Sequence, residues 1–347
     1  MYMPPYPYGT AFYYPAYNSN FYKKEQEKRT LRSLSNHSGV ALIIVLVTYN
    51  FIATFLTFFL FFSGGLTYGA SGTGDYDPSM YFAMQGIVSI PGMCIPALIL
   101  CKTEHAHLDD LIHFSSRVSV KRILALLPAG LAVFMFSNFA VELLLQNLEA
   151  IGLPYDQSSL SIATDGSITA NILYVVSVAC VPAFVEEFLF RGVLLGLLRK
   201  YGDGFAILIS SLLFGLMHGN IVQIPFAFIG GLALAFLVVY TGSIIPAMIL
   251  HFANNFYSVI VDIIMTQYGA LVGNSFYILV MGVTLLLALL GLFLLSRKDK
   301  RLFHIEKADS SLTLKERVSV FFLTPGVIIA IVLLIGEAVI TWAMIVS

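Results

Sequence analysis

The sequence predicts an all-α fold, a polytopic membrane helical bundle of about nine transmembrane helices. Composition is the first reason: 58% of the residues are hydrophobic, only 11% are charged, and mean hydropathy is +0.85. A soluble core does not need that excess of apolar residues. The second is a series of apolar runs near 39–62, 79–101, 123–146, 168–198, 204–218, 221–240, 244–262, 274–296 and 323–346. These runs are of the length needed to cross roughly 30 Å of hydrocarbon. The third is the placement of charge. Of the 19 Lys and Arg, all but Arg191 fall within 23–32, 102–122, 199–200, 297–301 and 307–317.

That placement decides the number of spans. The fifth and sixth runs are separated by little more than Gly219-Asn220, so hydropathy alone allows eight or nine. Nine spans put every basic group on one side, whereas loops 63–78, 147–167 and 263–273 hold no Lys or Arg. Eight would break the pattern. By the positive-inside rule the basic side and the N-terminus are cytoplasmic. The expected location is a bacterial plasma membrane, crossed many times, with the bilayer as the first partner. A net charge of −1 argues neither for nor against a charged partner, and no feature points to nucleic acid.

The segments follow in order. Residues 1–38 read as a cytoplasmic, Tyr/Pro-rich disordered tail that begins Met1-Tyr2-Met3-Pro4-Pro5-Tyr6-Pro7-Tyr8 and shows no secretory signal. Residues 39–122 hold the first membrane helices and 123–296 a membrane core. Residues 297–322 form a basic cytoplasmic loop, and 323–347 a last membrane helix. Cys94, Cys101 and Cys180 lie in or at the ends of spans without metal-binding spacing. Glu142, at a helix end, and Glu337, in the last span, read as structural carboxylates.

Chemistry concentrates between Ala179 and Leu198, where Glu186, Glu187 and Arg191 interrupt an apolar stretch. An intramembrane charge costs roughly 2.5–3.5 kcal/mol on insertion scales, so three together point to function. Residues four apart share a helix face, which lets Glu187 pair with Arg191. Glu186, turned by about 100°, is the carboxylate left free for general-base work. Phe214 and His218 share a face one turn apart, as do His251 and Asn255. Each of these polar groups would be an uncompensated burial unless they meet, so convergence in one dry cavity is expected. A three-charge structural network between helices is the plainer alternative.

The ordered trio EExxxR (Glu186, Glu187, Arg191), FxxxH (Phe214, His218) and HxxxN (His251, Asn255) resembles the CPBP family, over roughly residues 120–296. That family comprises the type II CAAX-processing proteases and the bacterial bacteriocin-processing, or Abi, proteins. The resemblance implies an intramembrane glutamic endopeptidase with an intramembrane catalytic cavity. In it, Glu186 and His218 activate a water, His251 and Asn255 stabilise the oxyanion, and Glu187, Arg191 and Phe214 support the site. The implied partner is a membrane-bound, lipidated or secreted-peptide precursor or another membrane protein. No cofactor is implied, although Glu186, His218 and His251 would also suit zinc with an open position for water. Intact motifs favour an enzyme over a non-proteolytic immunity or scaffold protein on the same fold. The cavity is expected to open toward the cytoplasm. Glu186 lies 13 residues before Arg199, about 20 Å along a straight helix, and Pro182 is placed to kink it. Two other protease strings, Gly69-Ala70-Ser71-Gly72 and Gly72-Thr73-Gly74-Asp75, fall in one Gly-rich loop outside any span and read as chance.

Overall fold

The computed structural model describes residues 19–63, 67–68, 74–75, 77–150, 166–300, 302–303, 305–306 and 308–346. The architecture is all-α. We number the helices α1 (Ser19–Ser63), α2 (Pro78–Thr103), α3 (Val120–Ala150), α4 (Ile168–Tyr201), α5 (Asp203–Leu216), α6 (Gln223–Thr241), α7 (Ile245–Tyr268), α8 (Ala270–Lys298), α9 (Leu314–Phe322) and α10 (Pro325–Val346). A single turn at Leu108–Leu111 and a two-residue strand pair, Thr67–Tyr68 with Gly74–Asp75, complete the described elements. The rest of the two Gly-rich protease strings lies outside the described residues.

Eight of these helices are long and apolar enough to cross a membrane, and α5 is a shorter apolar helix of 14 residues. At 1.5 Å per residue α5 spans only about 21 Å, less than the hydrocarbon thickness. Where nine crossings were expected, α5 is thus shorter than a full crossing, and it packs against α6 in a tight hairpin. Contacts at one end of the bundle preserve the alternation that nine passes require. Tyr201, ending α4, donates from its hydroxyl to Thr30 of α1 at 3.2 Å, and Arg122 at the start of α3 pairs with Asp299 after α8 at 2.8 Å. Tyr240 near the end of α6 donates to the same Asp299 carboxylate at 2.8 Å, and His37 of α1 meets Glu104 just past α2 at 2.7 Å. At the foot of α10, Gly326 donates its amide to Asn36 Oδ1 at 2.8 Å. The basic groups thus share one end, and α1 and α10 both leave it in the same direction.

The tail boundary expected at 38 moves. Residues 1–18 lie outside the described residues, but from Ser19 the chain is continuous α1. The stretch Lys23–Ser38 contains good helix formers, with Lys28 and Glu25 paired three residues apart at 2.7 Å. Lys24 extends the contact outward to Glu316 of α9 at 2.6 Å. The Lys24 ammonium, followed by the backbone and hydroxyl of Thr313, holds the Glu316 carboxyl down to about 2. Glu27 accepts from Ser310 and Ser311, and Arg317 donates to the Tyr201 carbonyl. Docking to the loop before α9, not apolar burial in lipid, fixes this first part of α1.

The core sits along α4 and α5. Phe190, Leu195, Leu198, Phe205, Ala206, Ile209 and Leu213 are almost fully buried. α4 is not a regular helix: Val175–Cys180 and Phe188–Leu194 are π-helical, on either side of an α-helical Val181–Glu187. Pro182 explains the first irregularity. It has no N–H to offer the Val178 carbonyl four residues back, and such vacancies favour local π geometry.

Candidate active site

Glu187 and Arg191 form the fixed part of the site. Both side chains are wholly buried, and Arg191 Nη1 donates to Glu187 Oε1 at 2.9 Å. The guanidinium also lies 4.0 Å from the centre of the Phe214 ring and directs Nη2 to the Gly231 carbonyl at 3.4 Å. This is the i to i+4 pairing expected from the spacing. The structure adds a partner that spacing does not reveal: His251 Nδ1 donates to the same Glu187 oxygen at 2.8 Å. One carboxylate oxygen of α4 therefore orients both its own arginine and the histidine of α7.

Glu186 is the other kind of carboxylate. Its side chain keeps 16% exposure, and its buried Oε2 has no hydrogen-bond partner among the described residues. His251 Nε2 stands 3.8 Å from that oxygen, beyond a direct hydrogen bond. Adjacent residues of one helix thus have different environments: Glu187 is wholly buried, with Oε1 held by Arg191 and His251 and Oε2 left without a partner, whereas Glu186 is partly exposed and held by no side chain.

His218 follows the end of α5 and faces the same space. Its Nδ1 lies 2.9 Å from the Phe214 carbonyl. A carbonyl can only accept, so Nδ1 carries the proton and Nε2 presents a lone pair in the neutral ring. Phe214 holds both imidazoles edge-on, its centroid 4.9 Å from His218 and 5.9 Å from His251. The next residue, Gly219, takes φ +56°, a left-handed conformation that glycine adopts without strain. A side chain there would also crowd a carboxylate: a Cβ would lie 3.1 Å from Glu337 Cδ, which would have to give way by a few tenths of an ångström.

Glu186 and His218 line one cavity of about 280 Å³. Its other walls are Leu46, Tyr49 and Asn50 of α1, Gln85, Ser89 and Met93 of α2, and Glu337 of α10. One expectation changes here: Glu337, read as structural, faces the reactive space. Among the lining residues Met93, Phe190 and Phe214 are buried, while Asn50 and Gln85, one or two turns farther from the charged end, are exposed.

Asn255 sits one turn beyond His251 but points to α4, where Nδ2 donates to the Val178 carbonyl at 2.9 Å. That carbonyl is the one Pro182 leaves without its usual donor. Asn254 Nδ2 donates to Asn255 Oδ1 at 3.0 Å, which fixes the amide. The structure therefore brings Glu186, His218, His251, Glu187, Arg191 and Phe214 together, with Asn255 at their edge. Among the described residues, no group of three or more His, Cys, Asp and Glu is placed to hold a metal ion. Tyr49, Asn50, Gln85 and Ser89 were not singled out by sequence reasoning. Tyr49 and Asn50 are neighbours in one span, and Gln85 and Ser89 lie one turn apart in the next, but only their shared depth in the bundle links the two pairs to the site.

A helical membrane bundle with a glutamate and a histidine facing an internal cavity, and a buried ion pair behind them, defines a class of intramembrane site. The chain can be placed further by comparison. Residues 168–257 match the family model described as Type II CAAX prenyl endopeptidase Rce1-like, and over this stretch the chain is similar to that family. The match runs from the start of α4 to two residues past Asn255, so it takes in all seven motif residues. No curated protein and no solved structure matches the chain.

Proposed function

We propose that the chain is an intramembrane endopeptidase that hydrolyses a peptide bond in a membrane-bound, lipidated or secreted-peptide precursor. The observation that carries this reading is the contrast between the two adjacent glutamates. Glu187 is wholly buried, with Oε1 engaged by Arg191 and His251, while Glu186 makes no side-chain hydrogen bond among the described residues and lines a cavity it shares with His218. A free carboxylate beside an imidazole lone pair is what a water needs in order to lose its proton while attacking a carbonyl.

The mechanism follows from the hydrogen bonds. Water between Glu186 and His218 Nε2 gives up a proton to this pair as its oxygen bonds to the peptide carbon. The proton passes to the departing amine when the C–N bond breaks. Glu187 keeps His251 Nδ1 protonated, and with Nε2 also protonated the ring offers a donor to the oxyanion. Asn255 uses one N–H on Val178 and has a second, which serves the same oxygen. The water-poor site makes such preorganised donors effective.

The test is cleavage by the purified chain in detergent, on a mixed pool of membrane-associated peptides, with and without a strong chelator. Wild type is expected to cleave in chelator and Glu186→Gln to lose at least 100-fold in turnover, within the range of ~10²–10⁴ for a general base. Loss of cleavage on chelation, restored by zinc, would overturn the metal-free reading. Full turnover by Glu186→Gln would remove Glu186 from the reaction. A folded wild type that cleaves no peptide would favour a non-proteolytic scaffold or immunity protein.

A further inference from the structure

The proposed hydrolysis leaves one charged group of the cavity unused. Two carboxylates line it, Glu186 from α4 and Glu337 from α10, and none of the other lining residues is Lys or Arg. The nearest cation by sequence, Arg191, is committed to Glu187, the Phe214 ring and the Gly231 carbonyl. Glu337 is itself half-buried, and among the described residues no side-chain hydrogen bond or ion pair compensates it. A carboxylate at this depth in a membrane is costly and is a functional group by default. Its place is defined on the other side by Gly219, the residue after His218, whose lack of a side chain leaves room for it. The space between the carboxylates is bordered by Tyr49, Asn50, Gln85 and Ser89, all able to accept hydrogen bonds from a cation.

We propose that Glu337 determines specificity: its carboxylate receives a Lys or Arg side chain of the substrate peptide, close to the bond presented to Glu186 and His218. This rests on the endopeptidase reading and adds the chemical class of the residue beside the scissile bond. An ammonium or guanidinium entering the cavity relieves the repulsion between two like charges and supplies the missing counter-charge in a low-dielectric space. A neutral side chain leaves Glu337 uncompensated, and an acidic one adds a third like charge. The approach is from the side of Asn50 and Gln85, the exposed lining residues.

Binding tests this independently of cleavage. The probes are three palmitoylated peptides of one sequence that differ only in a central Lys, Gln or Glu, titrated by fluorescence anisotropy against the full chain in detergent. Wild type is expected to bind the Lys peptide at least tenfold more tightly than the Gln peptide, and the Glu peptide weakest. Glu337→Gln should bring Lys and Gln within threefold, and Glu337→Lys should make the Glu peptide the best ligand. Thermal melting of each variant in the same detergent checks its fold, and Glu337→Asp, which keeps the charge, should retain the Lys preference. Equal affinity of wild type for the Lys and Gln peptides, or an unchanged Lys preference in folded Glu337→Gln, would overturn the proposal. The same peptides analysed for products by mass spectrometry, with Glu186→Gln as the control, report on proteolysis separately. A Lys preference without products would sink the endopeptidase reading and leave Glu337 as a cation-selecting residue.

Discussion

Glu187 and Glu186 differ by one position, and their fates differ because a helix turns about 100° per residue. Removing a partner from a buried ion pair strands the other charge, at a cost of about 3–5 kcal/mol. Arg191→Ala leaves Glu187 wholly buried with only His251 to meet it, and also takes a cation from the Phe214 face. It is expected to reduce folded protein recovered from membranes and to lower the melting temperature in detergent; wild-type melting and activity together would refute the pairing argument. Asn255 makes a different prediction. Its side chain is not in the cavity wall, and one N–H already serves Val178. If the second N–H serves the oxyanion, Asn255→Ala should lower kcat by about 10²–10³ with little change in KM. A pure KM effect would assign Asn255 to substrate binding instead. At this scale the sequence was informative wherever partners sit on one helix: the Glu187–Arg191 pair follows from spacing alone. The Glu187–His251 bond spans 64 residues of chain, and no local pattern encodes it.

Among the helices, α4 shows most clearly what periodicity cannot report. Its apolar run and its proline are visible in the sequence, but the two π-helical stretches on either side of Glu186 and Glu187 are not. The first depends on a backbone group finding its partner in another helix. Pro182 opens the Val178 carbonyl, and Asn255 of α7 closes it. Pro182→Ala restores an N–H four residues beyond Val178, able to compete with Asn255 for that carbonyl. A proline inside a helix costs about 3 kcal/mol relative to alanine, so the variant should melt no lower than wild type. Turnover should nevertheless fall about tenfold as Asn255 loses its anchor. Wild-type turnover in a folded Pro182→Ala would show that the site does not depend on this bond. Helix α10 teaches the complementary lesson. Its one carboxylate looks structural when read along the chain, because nothing nearby in sequence shares its face. Only the close approach of α10 to Gly219 puts Glu337 into the cavity. The walls from α1, α2 and α10 all lie outside the stretch that carries the family match, so neither motif nor comparison pointed to them.

For the whole molecule the decisive quantity is the number of passes, and its parity turns on the short helix α5. Hydropathy of 14 residues is not enough to count as a crossing, and eight helices reach that length and apolarity. The charge pattern demanded nine, and the ends of the helices agree with it. Arg199 at the end of α4 pairs with Asp203 at the start of α5 at 2.7 Å, and the Arg117 amide donates to Thr241 at the end of α6 at 2.8 Å. α5 therefore leaves the charged end and α6 returns to it. Helix α10 starts at that same end beside Asn36 of α1, so its far terminus lies on the opposite side from the beginning of α1. With the basic end in the cytoplasm, a fluorescent reporter that folds only in the cytoplasm should be active when fused at the N-terminus and inactive at the C-terminus. A phosphatase that is active only outside should show the reverse. If both fusions report the same side, α5 does not act as a pass, and the alternation inferred from the helix ends is wrong. If they report opposite sides, the exposed lining residues Asn50 and Gln85 lie toward the exoplasmic half of the bilayer. Substrate then reaches Glu186 from the side away from the basic loops.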